Sequence, residues 1–254
     1  MRQTESTAIV LRAVNYREND KMLTLFSPTR GRVEALARGC RRPKSPLLNA
    51  AELFALGDFE LYEKGSHLTV TGAALTETFY PLRQDFDRLA CGTYLLNVCE
   101  CTIQPGQEAQ ELFMLLLHTL SRLTFTDQPW RPLLTGFLTH YTACEGFRPR
   151  LKHCVRCGRR LEDQETVWFD LREGGVVCEA CRGAGMPILP RGQRQWLEMA
   201  LTHGSAAWVD TPEMYAPLGL MRRYVEQRVE QPLRAAGMLG TIEREERQME
   251  KDES

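Results

Sequence analysis

The chain has 254 residues, of which 43% are hydrophobic and 26% charged, with a formal net charge of −1. That is ordinary for a globular protein able to bury its own core, which excludes dependence on a disulfide scaffold. It also excludes a uniformly basic polyanion binder, so any affinity for nucleic acid or membrane has to come from a local patch.

The opening stretch "MRQTESTAIVLRAV" lacks the basic-then-apolar pattern of a secretory leader. Residues 4–80 then read as five strands: "STAIVLRAV", "KMLTLFS", "GRVEALARG", "AELFALGDFELYEK" and "HLTVTGAALTETF", separated by the turn-like "NYREND", "SPTRG", "RRPKSP" and "KGS". Five strands without helical periodicity predict a small closed barrel, with an OB-fold and an SH3-like barrel both open on periodicity alone. Pro81 marks a change of regime. Helical spacing is predicted over Asp85 to Ile103, Glu108 to Phe125 and Trp130 to Phe147, and again over Arg191 to His203 and Pro212 to Ala236. The longest apolar run, "LFMLLLHTL" (Leu112 to Leu120), is too short to cross a bilayer, and no membrane partner is expected. The last residues, "TIEREERQMEKDES", carry six acids and three bases with almost no apolar residue, and are expected to be disordered. The resulting division is a barrel domain over 1–80, a helical domain over 81–240 with a metal segment at 151–185, and an acidic tail over 241–254.

Four of the nine cysteines form two C-x-x-C pairs, Cys154 with Cys157 and Cys178 with Cys181, twenty residues apart. In a reducing cytoplasm such pairs point to metal rather than to disulfides. Zinc takes four thiolates in a tetrahedron, and a closed set of this kind is structural because no position remains for water. Gly158 suits the tight turn after Cys157, and "TVWFDL" and "GGVVC" read as a hairpin that returns the second pair to the first. One structural zinc is therefore expected, with His153 a bystander. Two redox C-x-x-C sites are the alternative, but the βαβ context they need is absent. Cys40, Cys91, Cys99, Cys101 and Cys144 read as small buried hydrophobes.

Catalytic signatures are missing: there is no P-loop, H-E-x-x-H, G-x-S-x-G or G-x-G-x-x-G. Asp85 and Asp87 read as acids of a first helical turn rather than a catalytic pair. A binding protein, not an enzyme, is expected. Two basic runs could supply the binding. Arg38, Arg41, Arg42 and Lys44 fall in the connection between the third and fourth strands, where a solvated charged turn is the plain alternative to phosphate tracking. Arg148, Arg150, Lys152, Arg156, Arg159 and Arg160 lead into the first cysteine pair. Phe54, Phe59 and Tyr62 lie near the first run and could stack on bases, although barrel core is the better assignment for the two Phe.

The succession of "AIVLRAVNYRENDKMLTLFSPTRGRVEALARG", a basic link with "KS", "AELFALGDFELYEKGSHLTV", "ALTETF", "HYTACEGFRPRLKHCVRCGR" and "VCEACR" resembles the bacterial recombination mediator family RecO, in order and up to about Gly240. The resemblance implies an N-terminal OB-fold followed by an α-helical domain with an inserted four-cysteine zinc site, an α+β fold. It implies a cytoplasmic, nucleoid-associated protein of DNA repair and recombination that binds single- and double-stranded DNA and anneals complementary strands. Its implied partners are RecR, in some systems RecF, and the acidic C-terminal tail of single-strand-binding protein, and its implied task is to help load RecA. By position, the metal role falls on Cys154, Cys157, Cys178 and Cys181, and the DNA role on Arg38, Arg41, Arg42 and Lys44. A different zinc-containing nucleic-acid accessory factor, in RNA processing or transcription, is the competing reading.

Overall fold

The computed structural model describes residues 2–210, 212–229 and 232–240; the acidic tail at 241–254 lies outside the described residues. Five strands open the chain: β1 (Arg2–Tyr16), β2 (Asp20–Ser27), β3 (Gly31–Ala37), β4 (Leu56–Lys64) and β5 (His67–Glu77). They form a closed barrel in the order β1-β2-β3-β5-β4, with β4 paired back to β1. Every pairing is antiparallel except β3 with β5, where Ala35–Ala37 run parallel to Leu68–Val70. This five-stranded Greek-key closure is the OB-fold, so strand pairing decides what periodicity left open.

One long strand makes closure possible. β1 pairs with β4 over residues 2–9 and with β2 over residues 9–16, with an irregularity between Val10 and Arg12. A bulge bends a strand, which lets β1 serve two neighbours that face different ways. Leu23, Leu25, Phe59, Leu61 and Val70 fill the interior with the small Ala8, Ala35 and Ala37. The fourth strand starts at Leu56, later than its sequence pattern predicts. Phe54, just before it, has φ +70°, a left-handed conformation incompatible with a strand.

α1 (Phe86–Thr102) begins at Asp85, whose carboxylate accepts from the Arg88 N–H at 3.0 Å, an N-cap that satisfies an otherwise orphaned donor. α2 (Gln110–Phe125) follows, and its Phe113 meets Phe26 of β2 edge-on at 5.1 Å. Helices on the outer face explain why β2 is buried over Leu23–Ser27 rather than alternating. The link between α1 and α2 is bonded to the β2–β3 turn. The Arg32 N–H donates to Gln104 O at 3.2 Å, Gly106 N–H to Arg30 O at 2.8 Å and Ala109 N–H to Pro28 O at 2.9 Å.

The chain forms two compact units, one reaching Thr124 and taking in the stretch from Leu233, the other Phe125–Pro232. The second unit contains α3 (Trp130–Cys144), α4 (Arg191–Ala200), α5 (Ser205–Val209) and α6 (Leu218–Glu226). It also holds a sheet in the order β7-β6-β8, from β6 (Thr166–Asp170), β7 (Gly175–Val177) and β8 (Ile188–Pro190). Trp208 of α5 packs where a side chain at Gly136 of α3 would stand. The helical spacing read from Pro212 condenses to α6, for which Pro217 is the N-cap: a residue with no N–H to donate suits the start of a helix and not its interior.

Gly31 has φ +63°, and a Cβ there would collide with the backbone oxygens of Gln104 and Gln107. Gly31→Ala is expected to destabilise the protein by roughly 2 kcal/mol or more, from left-handed strain plus displacement of the docked link. The urea midpoint should fall; an unchanged midpoint would mean that this docking adds nothing to stability.

Candidate metal centre and nucleic-acid interface

The β6–β7 hairpin brings the two cysteine pairs together. In the first, Gly158 N–H donates to Cys154 O at 2.9 Å and Cys154 N–H to Arg159 O at 2.8 Å. Gly158 has φ +74°, which a residue with a Cβ rarely adopts. In the second, Cys181 N–H donates to Cys178 O at 3.0 Å, closing a single 3₁₀ turn. The Sγ atoms of Cys154, Cys157, Cys178 and Cys181 all lie within 4.8 Å of one another. A tetrahedral ion with thiolates at about 2.3 Å requires sulfurs about 3.8 Å apart. The Cys157 and Cys178 sulfurs are 3.7 Å apart, far beyond a disulfide bond of about 2.05 Å. All nine cysteines are unbridged, and of the other five, Cys40, Cys91 and Cys99 are buried while Cys101 and Cys144 are half-buried.

The donor set fits a cation. Burial pushes the Cys154 thiol up, but the backbone N–H groups of Cys178, Cys157 and Arg156 outweigh it and bring it down to about 6. Cys178 N–H lies 3.5 Å from that sulfur. Hydrogen bonds that the Cys181 thiol donates to the sulfurs of Cys178 and Cys157 drive it the other way, up to about 12. Four sulfurs this close cannot all be anionic unless a positive charge sits among them, so the cluster could hold a metal ion in a closed thiolate cage. His153 is exposed and outside the cluster.

Two arginines brace this cage. Arg156, between the first two cysteines, donates through Nη1 to Cys181 O at 2.9 Å and through Nη2 to Asp170 Oδ2 at 2.8 Å. Asp170 Oδ1 also accepts the N–H groups of Arg172 and Glu173. Burial pushes the Asp170 carboxyl up, but these donors and Arg156 prevail and hold it below the usual carboxylate range. Arg194 of α4, only 1% exposed, donates to the carbonyls of Leu161, Glu162 and Gln164, and so fixes the segment joining the first knuckle to β6. Neither role is visible in the sequence, where both arginines read as ordinary charges.

The two basic runs differ in structure. Around the cage, Arg156 is committed as described, Arg150 donates to Glu173 O at 2.8 Å, Arg148 to Leu201 O at 3.2 Å, and Arg160 pairs with Glu162. Only Lys152 and Arg159 of that run carry side chains without a hydrogen bond or ion pair among the described residues. On the barrel, Arg38, Arg41, Arg42 and Lys44 are all exposed in the β3–β4 connection. Arg41 Nη1 donates to Glu18 O at 2.9 Å, while Arg38, Arg42 and Lys44 make no side-chain hydrogen bond or ion pair among the described residues. Of the aromatics considered for stacking, Phe54 and Phe59 are fully buried and unavailable, and Tyr62 is half-buried.

The chain matches the profile of recombination protein O, N terminal, over residues 1–79, and that of recombination protein O, C terminal, over residues 83–236. It is 35% identical over 180 residues to the DNA repair protein RecO of Alkaliphilus metalliredigens, covering 70% of this chain and 72% of that one. It is 30% identical over 181 residues to the DNA repair protein RecO of Acetivibrio thermocellus, covering 71% of each. With the protein of the same name from Desulforamulus reducens the identity is 29% over 241 residues, covering 92% of this chain and 93% of that one.

Replacing Cys178 with Ser is expected to take the metal content from one ion per chain to none by elemental analysis and to lower the thermal midpoint, because metal-binding free energy is part of the folding free energy. Full occupancy with an unchanged midpoint would show that the four sulfurs are not the ligands.

Proposed function

The chain belongs to the recombination protein O family, and we propose that it serves DNA repair as a non-catalytic mediator, binding DNA through the end of the barrel and annealing complementary strands. The observation that carries this is the set of unpaired cations, Arg38, Arg42 and Lys44, exposed on a connection anchored to the barrel core. Charges already spent on intramolecular carbonyls and carboxylates have less to offer a phosphate, so the barrel cations outrank the run around the cysteine cage. Phosphate contacts position a strand without reading sequence, which annealing of arbitrary complements requires.

The metal is zinc, a thiolate-preferring ion without redox chemistry, and its role is to staple the knuckles, since four protein ligands leave no open position. Convergence of all four sulfurs into one cluster supports this over two separate redox pairs. On this reading its partners are RecR, in some systems RecF, and the tail of single-strand-binding protein, its task is to help load RecA, and it works in the cytoplasm with the nucleoid; the family resemblance supports this. No helix among the described residues is long and apolar enough to cross a membrane.

For the acidic, apolar-ended tail of single-strand-binding protein, the second unit offers a cavity of about 760 Å³ walled by Leu151, Val155 and Leu201 and rimmed by Arg148, Arg150 and Lys152. Glu198 also lines it, and burial pushes its carboxyl up.

Two measurements test these assignments. In a salt titration of single-strand binding, Arg42→Ala with Lys44→Ala should lower the slope of log affinity against log salt by about 1.4, roughly 0.7 per phosphate contact. The loss should be equal for unrelated sequences, and an unchanged slope would remove DNA from the barrel end. In fluorescence anisotropy with a labelled tail peptide, Lys152→Glu should weaken binding about fivefold. Undiminished affinity would place the peptide elsewhere.

A further inference from the structure

An exposed aromatic ring stands beside the basic connection, and the turn that carries it is tied down. Tyr16, the last residue of β1, is 42% exposed. It pairs with Asp20 across the hairpin, so residues 17–19 form the turn. Arg17 takes φ +58°, a left-handed conformation rare for a residue with a side chain. Its guanidinium carbon lies 5.2 Å from the centre of the Tyr16 ring, in cation–π range. Three hydrogen bonds join this turn to the start of the β3–β4 connection. Arg41 donates through Nη1 to Glu18 O at 2.9 Å and through its backbone N–H to Asn19 O at 3.1 Å. Gly39 N–H donates to Asp20 Oδ1 at 2.8 Å. The Tyr16 ring and the cations Arg38, Arg42 and Lys44 are thus carried on two segments bonded to each other.

We infer that Tyr16, backed by Arg17, is a base-stacking platform for single-stranded nucleic acid, and that it confers preference for unpaired strands at this end of the barrel. The inference rests on the reading of the barrel end as the DNA interface and adds what phosphate contacts cannot supply. Phosphates are present on single strands and duplexes alike, whereas the faces of bases are open to an aromatic ring only when the strand is unpaired. Stacking is indifferent to which base is stacked, so the platform leaves the interface sequence-tolerant. Arg41 then has a positioning role: its bonds to Glu18 and Asn19 hold the turn against the connection.

The test uses the full chain and three labelled ligands of equal length: an oligothymidylate, a strand of abasic sugar-phosphate, and a duplex. Tyr16→Ala should bind oligothymidylate about tenfold more weakly. It should bind the abasic strand and the duplex as the parent does, with the salt slope unchanged, and Tyr16→Phe should restore binding to within about twofold. Equal losses on the abasic strand would overturn the stacking role and make Tyr16 a support for the loop. If Tyr16→Ala changes nothing while Arg42→Ala with Lys44→Ala lowers the salt slope, stacking is refuted and the barrel interface stands. If neither alters binding, the barrel end is not the interface and both readings fall.

Discussion

The barrel closes through one short parallel pairing, Ala35–Ala37 of β3 against Leu68–Val70 of β5. Parallel neighbours cannot be joined by a tight turn, so the chain must leave β3, build β4 elsewhere in the sheet and return as β5. The connection from Arg38 to Ala55 is the consequence. Its Cys40, Leu47, Ala50, Ala51 and Ala55 join the barrel core, while Arg38, Arg41, Arg42 and Lys44 face solvent. One segment therefore covers apolar surface and presents charge, and the buried half restrains the exposed half. A connection anchored in this way can hold cations near fixed positions at less entropic cost than a free loop of the same charge.

The second unit solves a different problem, which is to build a cage from short segments with little core of their own. β7 and β8 have three residues each. Arg156 joins the first knuckle to the second through Cys181 O and to β6 through Asp170. Arg194 satisfies three carbonyls of the segment that links them. A guanidinium buried as fully as that of Arg194 is tolerated only when its donors are engaged, and here they are engaged by three backbone oxygens. The cysteine cage is thus braced from both sides by arginine hydrogen bonds.

This division of labour among arginines bears on function. The number of cations alone ranks the run from Arg148 to Arg160 above the run from Arg38 to Lys44, six against four. Partner accounting reverses the order, since four of the six residues in the first run are already bonded within the protein. The physical quantity that matters for a phosphate is the positive charge still unsatisfied at the surface.

Sequence alone carried the chemistry that depends on local spacing. Two C-x-x-C pairs with Gly158 after the second cysteine specify knuckles because a knuckle is made within five residues. The strands and the first three helices were legible for the same reason, their periodicities being local, and Asp85 ahead of Phe86 marks a helix start. The order of the motifs further marked the family. Tertiary structure decided what depends on long-range pairing. It chose OB over SH3-like closure, through a three-residue parallel contact with no periodic signature, and it added β8, too short to show alternation. It also sorted the arginines into braces and unpaired surface cations, and it exposed Tyr16 while burying Phe54 and Phe59. A sequence states which side chains carry charge or a ring, but whether these meet a carbonyl, a core or water is set by residues thirty or more positions away, as Arg194 and Leu161 are.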